Sequence, residues 1–286
     1  MTTNPDVIFL DTSIAIARTV HSPETKLRIR ERVSSHELVV SSLVVKQEFK
    51  RRLLKEAQYL LGLFHRKKSF VAVQRHLIDV LPPGWHRKRN ICLDMIQTVF
   101  ETAPDGEKTE RAMRYLRQLL RVGLSDFTDF LDYVIWQSGC ACSHYPIIEK
   151  VAYKRYDFGP INCSSVSSRC GIDGFFELHI DAVEFILARL RDIAKNKKSA
   201  EIIKIEGFLE AVLNSTRSVH SMDPCLTVGD LVIALESAKV EFFYTMNGKE
   251  SQHLCRILNQ SLIVRPKNPE HEDIVCLSSD HAWREF

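Results

Sequence analysis

Four short apolar runs stand at the two ends of this chain: VIFL at residues 7–10, LVV at 38–40, VEFFYT at 240–245 and LIV at 262–264. A continuous run of β-branched and aromatic residues is what a strand buried on both faces presents, so these segments predict a largely parallel sheet with helices over both faces. The intervening signals agree. Thr12 or Ser13 can cap a helix through IAIARTV, Ser22-Pro23-Glu24 opens a second, and Ser41-Ser42 caps a long one from about Leu43 to Phe64. Helices are expected again at 231–238 and 252–258. Strand alternating with helix at both ends makes the ends two halves of one α/β domain.

Between them the rhythm stops. Segments 70–81, 89–101, 108–122, 126–137, 175–194 and 200–214 space their apolar residues by three and four, the period of helices, with LPPGWH at 81–86 as a break. The expected organisation is a discontinuous sheet domain, 1–64 and 219–286, interrupted by a mostly α-helical insert, 65–218, with a cysteine-rich loop at 140–170. No apolar stretch approaches the roughly 20 residues of a membrane span, and the start lacks the basic-then-apolar pattern of a signal peptide. A cytoplasmic protein away from the membrane is the expectation, with eight reduced cysteines rather than a disulfide scaffold.

The net charge of +3 hides an asymmetry. From Lys46 to Arg121 there are 17 Lys and Arg against 8 Asp and Glu, so this segment is strongly basic and the remainder is acidic. The runs KRRLLK, HRKK and HRKRN attract a polyanion, or else form solvated helix faces.

In an open parallel sheet, ligands bind beyond the carboxyl ends of the strands, and Asp11 directly follows the first run. A carboxylate there serves as a metal ligand or nucleophile, or as a helix-start residue favoured by the dipole. Four segments lie in order around it: FLDTSIAI with Asp11, VVSSLVVKQEFKRRL with Glu48, VGDLVIALESA with Asp230, and FFYTMNGKESQHLCRIL with Thr245 and Asn247. Together they resemble the four motifs of the PIN-domain nucleases, over 6–54 and 219–266, about a third of the chain. The resemblance implies a three-layer α/β/α domain with a central parallel sheet, whose acidic residues gather Mg²⁺ or Mn²⁺ and hydrolyse RNA phosphodiesters.

That chemistry suits the residues. Hard divalent cations take oxygen ligands, and one or two carboxylates with waters and phosphate oxygens suffice. The resemblance assigns metal ligation to Asp11, Glu48 and Asp230, with Thr245, Asn247 and Ser13 as supporting groups. The alternatives are a solvated acid near a helix start for Glu48, part of a Thr227-x-x-Asp230 capping arrangement for Asp230, and a simple cap for Ser13. Asn247 departs from the family, which often has Asp there, and removes one charge. Asp126, Asp129 and Asp132 in LSDFTDFLDYVIW, at three-residue steps on one helix face, are a rival acidic set, with a solvated acidic face the alternative. Arg51, Arg52, Lys55 and Lys67, on and beyond the Glu48 helix, are expected to grip substrate phosphates.

Cys140, Cys142, Cys163 and Cys170 form a candidate structural zinc site, with burial as small hydrophobes the alternative. Three functional classes follow: a metal-dependent endoribonuclease; a catalytically weak PIN-like module that binds RNA or protein; and an aspartyl-nucleophile phosphatase, which would require a second Asp where Ser13 stands. RNA is the first expected partner, followed by a neutralising or regulatory protein and a second copy of the chain.

Overall fold

The computed structural model describes residues 6–80, 86–140, 148–150, 155–157, 170–193, 200–214, 219–222, 224–268 and 270–278. Strand β1 (Val7–Leu10) leads into α1 (Thr12–Val20), α2 (Pro23–Ser34) and strand β2 (Leu38–Ser42). Ser22 caps α2 by accepting from the Thr25 N–H, with Pro23 in the first turn as the sequence predicts. Ser42 caps α3 (Leu43–Phe49), and a π-helical turn, Lys50–Leu54, carries the same rod into α4 (Lys55–Lys67). Next come α5 (Phe70–Arg75), α6 (His86–Thr102) and α7 (Lys108–Asp129), then strand β3 (Tyr133–Ile135). A separate antiparallel pair, β4 (Ile148–Lys150) and β5 (Arg155–Asp157), precedes α8 (Ile172–Leu178), α9 (Ile180–Asp192) and α10 (Ala200–Asn214). The chain ends with α11 (Pro224–Thr227), α12 (Gly229–Ser237), β6 (Phe242–Thr245), α13 (Gly248–Ile257), β7 (Ser261–Val264) and β8 (Ile274–Cys276).

Both ends of the chain enter one six-stranded sheet, ordered β3-β2-β1-β6-β7-β8. Every pairing is parallel except β7 with β8. Alternation along the strands sorts the side chains between two cores. Ile8, Leu10, Val39, Tyr244 and Ile263 meet Ile14, Ala17, Ile29 and Val33 of α1 and α2. Phe9, Val40, Phe243, Leu262 and Val264 join the larger core, built by the later helices together with Ala15, Ile16 and Val20 of α1, with Phe9 stacked on Phe243 at 5.3 Å. Among the described residues no helix is long and apolar enough to cross a membrane.

One expected helix is not formed. Instead of continuing through 126–137, the chain leaves α7 at Asp129 and enters the sheet as β3, pairing Tyr133, Val134 and Ile135 with Val40, Ser41 and Ser42. Asp132 fixes the register: its carboxylate accepts from the Val39 N–H at 2.8 Å, and its own N–H donates to the Val39 carbonyl at 2.9 Å. Phe127, Phe130, Leu131, Val134 and Ile135 keep a helical spacing in sequence, while Val and Ile, stiff at χ1, fit the pleated edge once Val39 offers its bonds. The rival acidic triplet is therefore absent, because Asp132 is not on the helix of Asp126 and Asp129.

After β3 the chain turns on Gly139, at φ +57°, whose missing side chain lets Gly171 approach; a Cβ would stand 3.0 Å from the Gly171 Cα. Ser138 donates its N–H to Oε1 of Glu236, a carboxylate of α12 almost wholly inside the protein. Burial holds the Glu236 carboxyl above the usual range, opposed by hydrogen bonds from Ser138, Ser42 and Val44. The folded protein thus keeps a proton that the unfolded chain releases, and the stability this contributes is complete below the unfolded-state pKa and lost as pH rises through the folded one. Glu236→Gln should accordingly melt higher than the wild type at about pH 8, with the gap closing towards about pH 4. A pH-independent difference in thermal unfolding would show that the carboxyl is not held protonated.

Candidate functional site

The carboxyl ends of β1 and β6 lie side by side, and Asp11 continues their pairing by donating its N–H to the Tyr244 carbonyl at 3.0 Å. Asp11 itself caps α1, replacing the expected Thr12 or Ser13: its Oδ2 accepts from the Ser13 N–H at 3.3 Å. The same oxygen receives the Ser13 hydroxyl at 2.6 Å and the Thr245 hydroxyl at 2.8 Å. Each hydroxyl is in turn oriented by a backbone donor, Met246 N–H on Ser13 Oγ and Asn247 N–H on Thr245 Oγ1, both at 2.9 Å. A carboxylate only 6% exposed is thereby fixed in one plane, with no bond among these directed at Oδ1.

Asp11 lines a narrow pocket with Asp230 and Asn247. Asp230 lies in the first turn of α12, and Asn247 immediately precedes α13 without its side chain capping that helix. The capping alternative for Asp230 is not realised, because the Thr227 hydroxyl donates to the Met222 carbonyl and Val228 makes no side-chain cap. Ile233 and Ala234 follow Asp230 on one face of α12, while Ser251, Leu254 and Cys255 follow Asn247 on one face of α13. These five wall residues carry a sequence signal that motif reading passes over, namely helical spacing from each polar residue. Burial first, then the Asp11 charge, push the Cys255 thiol well up, so this wall is a neutral thiol.

Glu48 stands beside this pocket without lining it. Its Oε2 accepts the Thr12 hydroxyl at 2.9 Å, and its Oε1 meets Nη2 of Arg52 at 3.2 Å and Nη2 of Arg51 at 3.6 Å. The carboxylate also fills the space beside Gly229, where a Cβ would lie 2.8 Å from Oε1. Thr12 and Gly229 adjoin Asp11 and Asp230 in sequence, so Glu48 is wedged between the two segments that bear the pocket carboxylates. At 3% exposure it needs counter-charge, which two guanidiniums supply. The expected cluster of three carboxylates is not closed: among the described residues no three His, Cys, Asp or Glu side chains stand together as a metal-holding group.

Arg51 and Arg52, expected to face substrate, turn back on Glu48, whereas Lys55 and Lys67 are exposed on α4. The basic run at 86–90 is partly neutralised within the fold, where Lys88 pairs with Glu56 at 3.1 Å and lies over the Tyr59 ring. Of the candidate zinc ligands, Cys142 and Cys163 lie outside the described residues. Cys140 is buried in the large core and Cys170 packs against it.

The donor set that remains is chemically consistent with a hard cation. Asp11, Asp230 and Asn247 offer two carboxylates and an amide carbonyl in one place, the kind of partial set that Mg²⁺ or Mn²⁺ completes with water and phosphate oxygens. Comparison of the chain with protein-family models, with curated proteins and with solved structures gave no match.

Proposed function

We propose that this chain is a PIN-like, three-layer α/β/α protein that hydrolyses RNA phosphodiester bonds with the help of Mg²⁺ or Mn²⁺. The observation that carries the reading is the meeting of Asp11, Asp230 and Asn247 in one pocket at the carboxyl end of a parallel sheet, where ligands of such sheets bind. What a divalent ion supplies when bound there is a hydroxide nucleophile and neutralisation of charge on the phosphate and leaving oxygen. Asp11 is the principal ligand, held in orientation by Ser13 and Thr245. Asp230 adds the second charge. Asn247 contributes a neutral oxygen, leaving the site one charge short of the four-acid pattern of the resemblance. Glu48 organises Thr12, Arg51 and Arg52 around the pocket, and Lys55 and Lys67 extend a positive surface along which RNA phosphates are gripped.

The arginine pairing of Glu48 and the amide at Asn247 favour one second reading, a PIN-like module that binds RNA or a protein partner with little catalysis. Incubation of labelled single-stranded RNA with Mn²⁺, with and without EDTA, separates the two. The nuclease reading expects internal cleavage that rises roughly 100-fold or more with Mn²⁺ and stops with EDTA. RNA retained intact by folded protein under every metal condition supports the binding module instead.

A further inference from the structure

Glu48, Arg51 and Arg52 carry a net charge of +1 beside, not in, the wall of the Asp11 and Asp230 pocket. The spacing i, i+3 and i+4 puts both guanidiniums on the carboxylate's own helix face, so in the free protein they compete with any other positive charge for it. The grouping is only partly satisfied. Nη1 of Arg51 is buried without a hydrogen-bond partner among the described residues, and so are Nε2 and Oε1 of Gln47, a side chain 2% exposed and one helical turn before Arg51. The Arg51 donor left unbonded beside the paired carboxylate suits a ligand with acceptor oxygens, and a phosphodiester has that chemistry.

We propose, resting on the nuclease reading, that Glu48 is a two-position side chain that couples polyanion binding to divalent-metal binding. In the free protein Arg51 and Arg52 hold its Oε1 while Thr12 holds its Oε2. When a phosphodiester takes the guanidiniums, the carboxylate loses its counter-charge and turns its negative charge towards the Asp11 and Asp230 pocket, whose Asp230 segment it already packs against at Gly229. Substrate phosphate then raises the affinity for the cation, and by linkage the cation raises the affinity for the phosphate by the same factor. The site assembles on RNA rather than before it.

Calorimetric titration of Mn²⁺ into the full chain, alone and with a saturating 2′-O-methyl RNA oligonucleotide, reads this coupling once binding to the oligonucleotide alone is subtracted. The wild type is expected to bind Mn²⁺ about 10-fold more tightly with the oligonucleotide. Arg51→Gln/Arg52→Gln should bind Mn²⁺ about 10-fold more tightly without it, and the further gain on adding it should fall below about 2-fold. Glu48→Gln retains the Thr12 bond and provides an independent arm: the oligonucleotide should bind more tightly because the arginines are released, and the coupling should disappear. Equal Mn²⁺ affinity of the wild type with and without oligonucleotide, or coupling that survives in Glu48→Gln, overturns the proposal. If Mn²⁺ binding then persists and is lost in Asp11→Asn, the nuclease reading stands without it; if Mn²⁺ binds under no condition, both fail.

Discussion

Asp11→Asn should lower Mn²⁺-dependent RNA cleavage by about 10³-fold, equivalent to about 4 kcal/mol of transition-state stabilisation, while leaving the protein folded. Two consequences of the substitution point in opposite directions, which makes it informative. The amide keeps an oxygen that can accept from the Ser13 hydroxyl, the Thr245 hydroxyl and the Ser13 N–H, so the cap and the β1–β6 junction survive. Loss of the anion at the start of α1 costs only about 0.3–1 kcal/mol through the helix dipole. The charge that would draw a cation is nevertheless gone. Cleavage within about 3-fold of wild type, from protein with an unchanged melting profile, would remove Asp11 from the chemistry and end the nuclease reading. Loss of cleavage together with loss of the cooperative melt would make Asp11 a structural cap.

The strands that flank Asp11 were legible because each is buried on both faces, so burial writes itself into the sequence as an uninterrupted apolar run. VIFL and LIV hardly admit another reading. Strands β3 and β8 lie at the two edges of the sheet and contain only three residues each. An edge strand makes half the sheet contacts, and its sequence is correspondingly weak. The apolar residues around β3 also continue the spacing of α7, and it is the exchange of hydrogen bonds between Asp132 and Val39, 93 residues apart, that decides against helix. No local pattern contains that information.

The site divides in the same way. Asp11 can be found from its position after a buried strand, and Asn247 with Ser251 and Cys255 from their i, i+4 and i+8 spacing. The role of Glu48 depends on what surrounds it. Its motif suggests a ligand, yet Arg51 and Arg52 at i+3 and i+4 already state in sequence that two cations share its helix face. A basic run on a helix is a phosphate-binding surface only when no nearby buried carboxylate claims it, and Glu48 claims both arginines in the free protein. The role of Thr12 is hidden in sequence for a related reason: a hydroxyl beside a helix start reads as a cap, and its bond to Glu48 spans 36 residues.

The largest expected effect on stability lies away from the pocket, on the α1 and α2 side of the sheet. Arg265, 1% exposed, follows β7 and donates Nη1 to Oδ1 of Asp273 at 2.9 Å. The other carboxylate oxygen of Asp273 receives the Tyr244 hydroxyl from β6 at 2.9 Å and Nε of Arg32 from α2 at 3.2 Å. Burial, followed by the Asp273 charge, pushes the Tyr244 hydroxyl well up, so it is a donor at neutral pH. One carboxylate, its side chain 4% exposed, thus ties together β6, β7, α2 and the entry to β8. Asp273→Ala takes the Asp273 anion away from the buried Arg265 guanidinium, and breaking a buried pair in this way costs about 3–5 kcal/mol. Chemical denaturation should show that loss as a lower midpoint with a similar slope. The double variant Arg265→Met/Asp273→Leu should recover most of it, because apolar side chains of comparable volume remove both desolvation penalties together. A single-variant loss below about 1 kcal/mol would mean that water reaches Arg265 and that the pair behaves as a surface contact. If the double variant is no better than Asp273→Ala, the carboxylate matters chiefly as the acceptor for Tyr244 and Arg32. In either case the strand at stake is β6, whose next side chain, Thr245, holds Asp11 in place.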